Sequence, residues 1–178
     1  MIYIPNMITI GNLLCGLLAI YSLLVQDIYT AATLIFIGLF FDFFDGMIAR
    51  KLNTVSDIGR ELDSMADLVT FGVAPSIFAY YICLYELPII GVLCMLIYSI
   101  CSILRLAKFN VKQSTISTFI GMPTPLAGIC LVTLSAMHNQ ILVVVGISIL
   151  SYLMVSNIKF PHFKKNTMES LESKNGAN

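Results

Sequence analysis

Six apolar runs, separated by short polar interruptions, organise the chain. They fall at 7–25, 29–48, 62–84, 88–106, 121–137 and 140–156. Each is close to the ~20 residues that an α-helix needs to cross a hydrocarbon core. The pattern predicts an all-α integral membrane fold of six transmembrane helices. Gly72 and Pro75 lie inside the third run and predict a kink there. The residues after 165 are polar and end in SKNGAN. They predict a frayed cytosolic tail over 166–178 behind a membrane domain of 1–165. No internal repeat or low-complexity segment interrupts this organisation.

Composition strengthens the membrane reading. Of the 178 residues, 58% are hydrophobic and only 11% charged, with a mean hydropathy of +0.89. A soluble domain of this length needs far more charged surface. The formal net charge is zero, which argues against a nucleic-acid partner. The start MIYIPNM lacks a basic stretch and no small-residue cleavage site follows the first run, so that run is expected as a retained span. The five cysteines, Cys15, Cys83, Cys94, Cys101 and Cys130, sit in apolar runs without a CxxC pair and read as small buried hydrophobes. His138 and His162 are isolated, which disfavours a histidine metal site.

The basic residues set an orientation. All ten lie at Arg50, Lys51, Arg60, Arg105, Lys108, Lys112, Lys159, Lys164, Lys165 and Lys174. These flank runs two and three, runs four and five, and the C-terminus. The connections near Asp27, Glu86 and His138 carry no Lys or Arg. Basic loops stay in the cytosol, so both termini of this multi-pass cell-membrane protein are expected there.

Against this background, four acids stand out. Asp42 and Asp45 lie near the end of the second run, Asp63 and Asp67 near the start of the third, so both pairs are expected at one depth near the cytosolic face. Intramembrane acids are costly and usually functional. At about 100° per residue, Asp42, Asp45, Gly46, Ala49 and Arg50 fall in an arc of about 140°, and Gly59, Asp63 and Asp67 in one of about 80°. The small residues Gly46, Ala49 and Gly59 permit close approach of a backbone or ligand. Four carboxylates cannot share a cleft unless protonated or countered. Hard oxygen ligands in this number suit Mg2+ or Mn2+, with Ca2+ as a further occupant. Two such ions would balance four carboxylates and suit displacement at phosphorus. Arg50 would then meet the charge of a bound diphosphate. The plainer alternative has the acids paired with Arg50, Lys51 and Arg60 as solvated helix ends.

The run Asp42-x-x-Asp45-Gly46-x-x-Ala49-Arg50-x8-Gly59-x-x-x-Asp63-x-x-x-Asp67 matches every fixed position of the CDP-alcohol phosphotransferase signature. The segments PNMITIGNLLCGLLAIY, RLAKFNV and FIGMPTPLAG resemble the membrane-embedded bacterial phosphatidylserine synthases of that family. The resemblance covers nearly the whole chain. It implies a cytosol-facing cleft, commonly in a homodimer, in which a phosphatidyl group passes from CDP-diacylglycerol to L-serine with release of CMP. It implies that Asp42 and Asp63 touch both metals, that Asp45 completes the first and Asp67 the second, and that Asp67 accepts the proton of the incoming hydroxyl. It places the CDP part of the donor on Asn6, Thr9, Gly46, Arg50, Ser56 and Gly59.

The acceptor pocket is expected around Arg105, Lys108, Asn110 and Thr124. The prolines Pro123 and Pro125 stiffen the chain on either side of Thr124. The alternative acceptor is glycerol 3-phosphate. Relatives with that activity tend to carry an arginine where this chain has Asn12, which favours serine. A transporter or channel would also place acids in a membrane, but the Gly and Arg spacing around them argues against it. A purely structural membrane protein would not need four convergent acids.

Overall fold

The computed structural model describes residues 3–51, 56–113 and 121–156. Among these the chain is all-helical. In chain order the helices are α1 (Tyr3–Leu24), α2 (Ile28–Lys51), α3 (Asp57–Leu84), α4 (Pro88–Gln113), α5 (Thr124–Ser135) and α6 (Gln140–Val155). The expected cytosolic tail, with Lys159, Lys164, Lys165 and Lys174, lies outside the described residues.

Helices α1 and α2 pack as an antiparallel hairpin. Its turn is fixed by polar chemistry. Gln26 takes a φ of 66°, and Asp27 caps α2 by accepting from the Thr30 N–H at 3.1 Å and the Thr30 hydroxyl at 2.6 Å. These two bonds hold the exposed Asp27 carboxyl below the usual carboxylate range.

Helix α3 forms the centre. Of its most apolar stretch, 61% is buried, against 22% for α2. Phe71, Ala74 and Phe78 pack with Ala19, Leu23, Ala31, Ile35 and Val132 on one side. Ala79, Cys83 and Leu84 join Tyr98, Ala127, Leu131, Ile147 and Met154 in a second cluster. Small residues bring the helices together. A Cβ added to Gly16 would lie 2.9 Å from the Thr70 Cα, and one on Gly128 would lie 2.8 Å from the Phe71 carbonyl oxygen.

The kink expected at Gly72 and Pro75 takes the form of a π-helical stretch over Leu68–Val73, with a second over Tyr80–Leu84. Pro75 has no N–H to give the Phe71 carbonyl. The wider turn lets the Ala74 N–H reach Val69, and the Tyr98 hydroxyl donates to the Phe71 carbonyl at 3.3 Å instead.

Among the described residues, four helices are long and apolar enough to cross a membrane: Pro5–Leu24, Ile28–Ile48, Asp57–Leu84 and Pro88–Val111. The last two apolar runs form shorter helices of 12 and 16 residues. At 1.5 Å per residue these fall short of a hydrocarbon core about 30 Å thick. Backbone chemistry shortens the first of them. Gly121 has a φ of +86° and Pro123 is extended, so α5 begins only at Thr124. The chain leaves that helix after Ser135 and turns through His138 at a φ of 51°.

Candidate functional site

The end of α2, the start of α3, the end of α4 and the starts of α1 and α5 meet at one end of the bundle. Asp42, Asp63 and Asp67 each offer a carboxylate oxygen, and these oxygens lie within 4.8 Å of one another. Asp67 is almost fully buried, while Asp42 and Asp63 are half-buried. Helical geometry explains the grouping: Asp63 and Asp67 are one turn apart on α3, and the antiparallel α2 brings Asp42 to the same depth.

Asp45 is also buried but stands beside this trio. Its carboxylate accepts the Thr9 hydroxyl at 2.7 Å. Thr9 also lies 3.1 Å from the Pro5 carbonyl, but the shorter contact to the charged acceptor is the stronger one. Asp67 receives a hydrogen bond from the Asn12 amide at 3.3 Å.

Three observations bear on whether a divalent cation fits. The donors are hard carboxylate oxygens, the choice of Mg2+, Mn2+ and Ca2+. The oxygens already converge. One of them, Asp63 Oδ1, is buried without any hydrogen-bond partner. A buried carboxylate oxygen left unpaired is costly, and a cation would satisfy it. The residues present fit the metal.

Arg105 supplies the nearby positive charge. It is 7% exposed and close enough to Asp42, Asp63 and Asp67 to act electrostatically on each. Its Nη1 donates to the Thr124 hydroxyl at 3.0 Å, and its guanidinium lies over the Phe109 ring at 5.2 Å. Its Nε, also buried, has no partner.

The structure thus brings Arg105 and Thr124 of the expected acceptor pocket to the acids. It turns the other two elsewhere. Lys108 donates to the Val155 carbonyl at 3.0 Å, at the end of α6. Asn110 donates to Glu61 at 3.1 Å and accepts from Ser64 at 3.1 Å, tying α4 to α3.

Of the expected donor-binding residues, Asn6, Ser56 and Gly59 gather where α1 meets the start of α3. A Cβ on Gly59 would lie 3.0 Å from Ser56 Oγ and 3.1 Å from Asn6 Oδ1. Ser56 caps α3 by accepting the Gly59 N–H at 3.0 Å. The Thr9 hydroxyl is committed to Asp45. Gly46 follows Asp45 on α2, half-buried. The Ala49 and Arg50 side chains lie outside the described residues.

Sequence reasoning used Asn12 as a marker of acceptor preference and missed its contact with Asp67. The available signal was the spacing of Thr9 and Asn12, two polar residues one turn apart in an otherwise apolar helix.

Comparison with known sequences agrees with this geometry. The profile of the CDP-alcohol phosphatidyltransferase family matches residues 2–158. The chain is 67% identical over 171 residues to a CDP-diacylglycerol–serine O-phosphatidyltransferase of Bacillus subtilis, covering 96% of this chain and 97% of that one. It is 36% identical over 172 residues to a protein of that name from Helicobacter pylori, covering 90% and 73%. A Methanocaldococcus jannaschii protein of that name is 37% identical over 167 residues, covering 91% and 75%.

Proposed function

The chain belongs to the CDP-alcohol phosphatidyltransferase family, and from that premise we propose that it transfers a phosphatidyl group from CDP-diacylglycerol to L-serine, releasing CMP. The observation that carries this reading is the convergence of Asp42, Asp63 and Asp67 within 4.8 Å, next to a buried arginine.

Asp42 and Asp63 would hold both of two divalent ions, Asp45 the first and Asp67 the second. When bound, such ions neutralise charge on the diphosphate and on departing CMP, and make a nearby hydroxyl more acidic. The chain's own groups do the rest. Asp67 orients the serine hydroxyl and takes its proton as the oxygen attacks the phosphorus next to diacylglycerol. The bond from that phosphorus to the CMP oxygen breaks. Burial among α1, α3 and α4 keeps water from competing as acceptor.

Arg105 meets the serine carboxylate, and Thr124 fixes the guanidinium in that direction. The unpartnered Arg105 Nε supports this, because it leaves a buried donor for a ligand oxygen. The amide and hydroxyl groups at Asn6, Ser56 and Gly59 border the entrance for the CDP moiety, with Arg50 on its diphosphate. Lys108 and Asn110 hold the helices that frame the pocket.

In the membrane the reading is six spans in a domain of 1–165, the two short helices α5 and α6 completing the bundle. Irregular backbone such as Gly121–Pro123 is tolerated at membrane depth when protein buries it, and Gly121 and Met122 are buried. The cleft then faces the cytosol, both termini lie there, and the enzyme works in the cell membrane as a homodimer.

Purified protein incubated with CDP-diacylglycerol and Mn2+ tests the reading. CMP release should require L-serine and yield phosphatidylserine. Release driven instead by glycerol 3-phosphate would overturn the acceptor. No release with any alcohol would overturn the transferase assignment.

A further inference from the structure

Helix α1 carries two buried polar side chains one turn apart, and each serves a different carboxylate. Thr9 donates to Asp45, and Asn12 donates to Asp67. Asn12 is fully buried. Its backbone carbonyl also accepts the Thr70 hydroxyl at 3.0 Å, one turn beyond Asp67 on α3. Close packing fixes the arrangement from both sides. A Cβ on Gly38 would lie 3.0 Å from Asn12 Oδ1, and Gly16 abuts the Thr70 backbone.

We propose that Asn12 is a positioning residue for Asp67: its amide holds one carboxylate oxygen so that the other faces Asp42 and Asp63. The proposal rests on the reading of the acid cluster as the catalytic site.

Stability alone gives a poor reason for this asparagine. Its Oδ1 is buried without a partner, which costs stability. Its bond to Asp67, at 3.3 Å, is beyond the usual N–H···O range and contributes little net stability. A leucine has nearly the same shape and would remove the orphaned Oδ1 at the cost of a weak donor to Asp67, so the two effects on stability nearly cancel. Orientation gives a better reason. Asp67 faces two other carboxyls and lies within hydrogen-bonding distance of Asp42; with all three ionised, repulsion favours rotamers that turn it away from them. A tether must oppose that rotation without removing the charge the site needs. A lysine there would pair with Asp67 and compete for both cation and proton. A neutral amide donates one hydrogen bond and leaves the carboxylate ionised.

The test compares full-length native protein with Asn12→Leu and Asn12→Val, two apolar changes that lack the donor. Both variants should lose about 100-fold in kcat, the cost of a misplaced reacting group. KM for CDP-diacylglycerol and for serine should move by less than about threefold. Asn12→Leu should unfold at about the same temperature as the native protein. Calorimetric titration without substrate should show its Mn2+ affinity weakened about tenfold. A folded Asn12→Leu variant with native kcat and native Mn2+ affinity would overturn the proposal. So would a loss expressed wholly in KM, or failure of both variants to fold, which would assign Asn12 to packing. Serine-dependent CMP release by the native protein in the same assay tests the functional reading separately.

Discussion

The two ends of the helix bundle hold polar clefts of opposite kind. At one end, three carboxylates crowd within 4.8 Å, beside a buried arginine. At the other, a cavity of about 340 Å³ is lined by Tyr81, Ile82, Cys83, Tyr85, Glu86, His138 and Gln140. In the second, polar groups pair with one another. Gln140 donates to the exposed Glu86 at 2.7 Å, and the Cys83 thiol donates to the Ser135 carbonyl at 3.1 Å. At the acidic end, Asp63 Oδ1 and Arg105 Nε are buried and unpaired. A protein can tolerate an open, solvated cleft at little cost. It keeps charged groups with buried, unsatisfied atoms where something binds. Unsatisfied chemistry therefore marks the working end.

Substitutions at the two ends sharpen this contrast. Asp63→Asn removes charge from the centre of the acid cluster. It should lower kcat by about 10²–10³-fold or more, the scale of losing one preorganised electrostatic group. Chelation of divalent cations should silence the native protein likewise, measured as CMP release. Arg105→Ala should raise the serine KM about tenfold or more while leaving CDP-diacylglycerol binding nearly intact. A change confined to donor affinity would move Arg105 from the acceptor to the diphosphate.

Between the ends, Gly128→Ala forces a methyl group toward the Phe71 carbonyl. It should cost about 1–3 kcal/mol of stability, read as a lowered unfolding temperature in detergent. At the far end, Glu86→Gln should change stability by no more than about 0.5 kcal/mol and leave turnover unaltered. A large loss of activity there would break the contrast.

The acidic end was largely legible in the sequence because helical periodicity alone aligns Asp63 with Asp67 and Asp42 with Asp45. The apolar runs likewise marked the six helices of the described residues. What could not be read was which neighbour a side chain meets. Lys108 lies one turn from Arg105, yet its longer, flexible stem reaches the Val155 carbonyl. Asn110 turns to α3 for the same reason: contacts between helices depend on rotation about each axis, which spacing does not encode. The shortness of α5 was hidden because hydropathy counts Gly121–Pro123 as apolar, while the φ of Gly121 and the extended Pro123 exclude them from the helix. The π-helical stretch before Pro75 depends on Tyr98, 27 residues away along the chain, reaching the Phe71 carbonyl.

The central claim is that the acidic end is a divalent-metal centre whose carboxylates act together. Calorimetric titration of Mn2+ into the purified native protein and Asp63→Asn, without substrate, tests it most directly. The native protein should bind about two ions per chain, and the variant at most one, with weakened affinity. Equal stoichiometry and affinity in the two proteins would contradict the account.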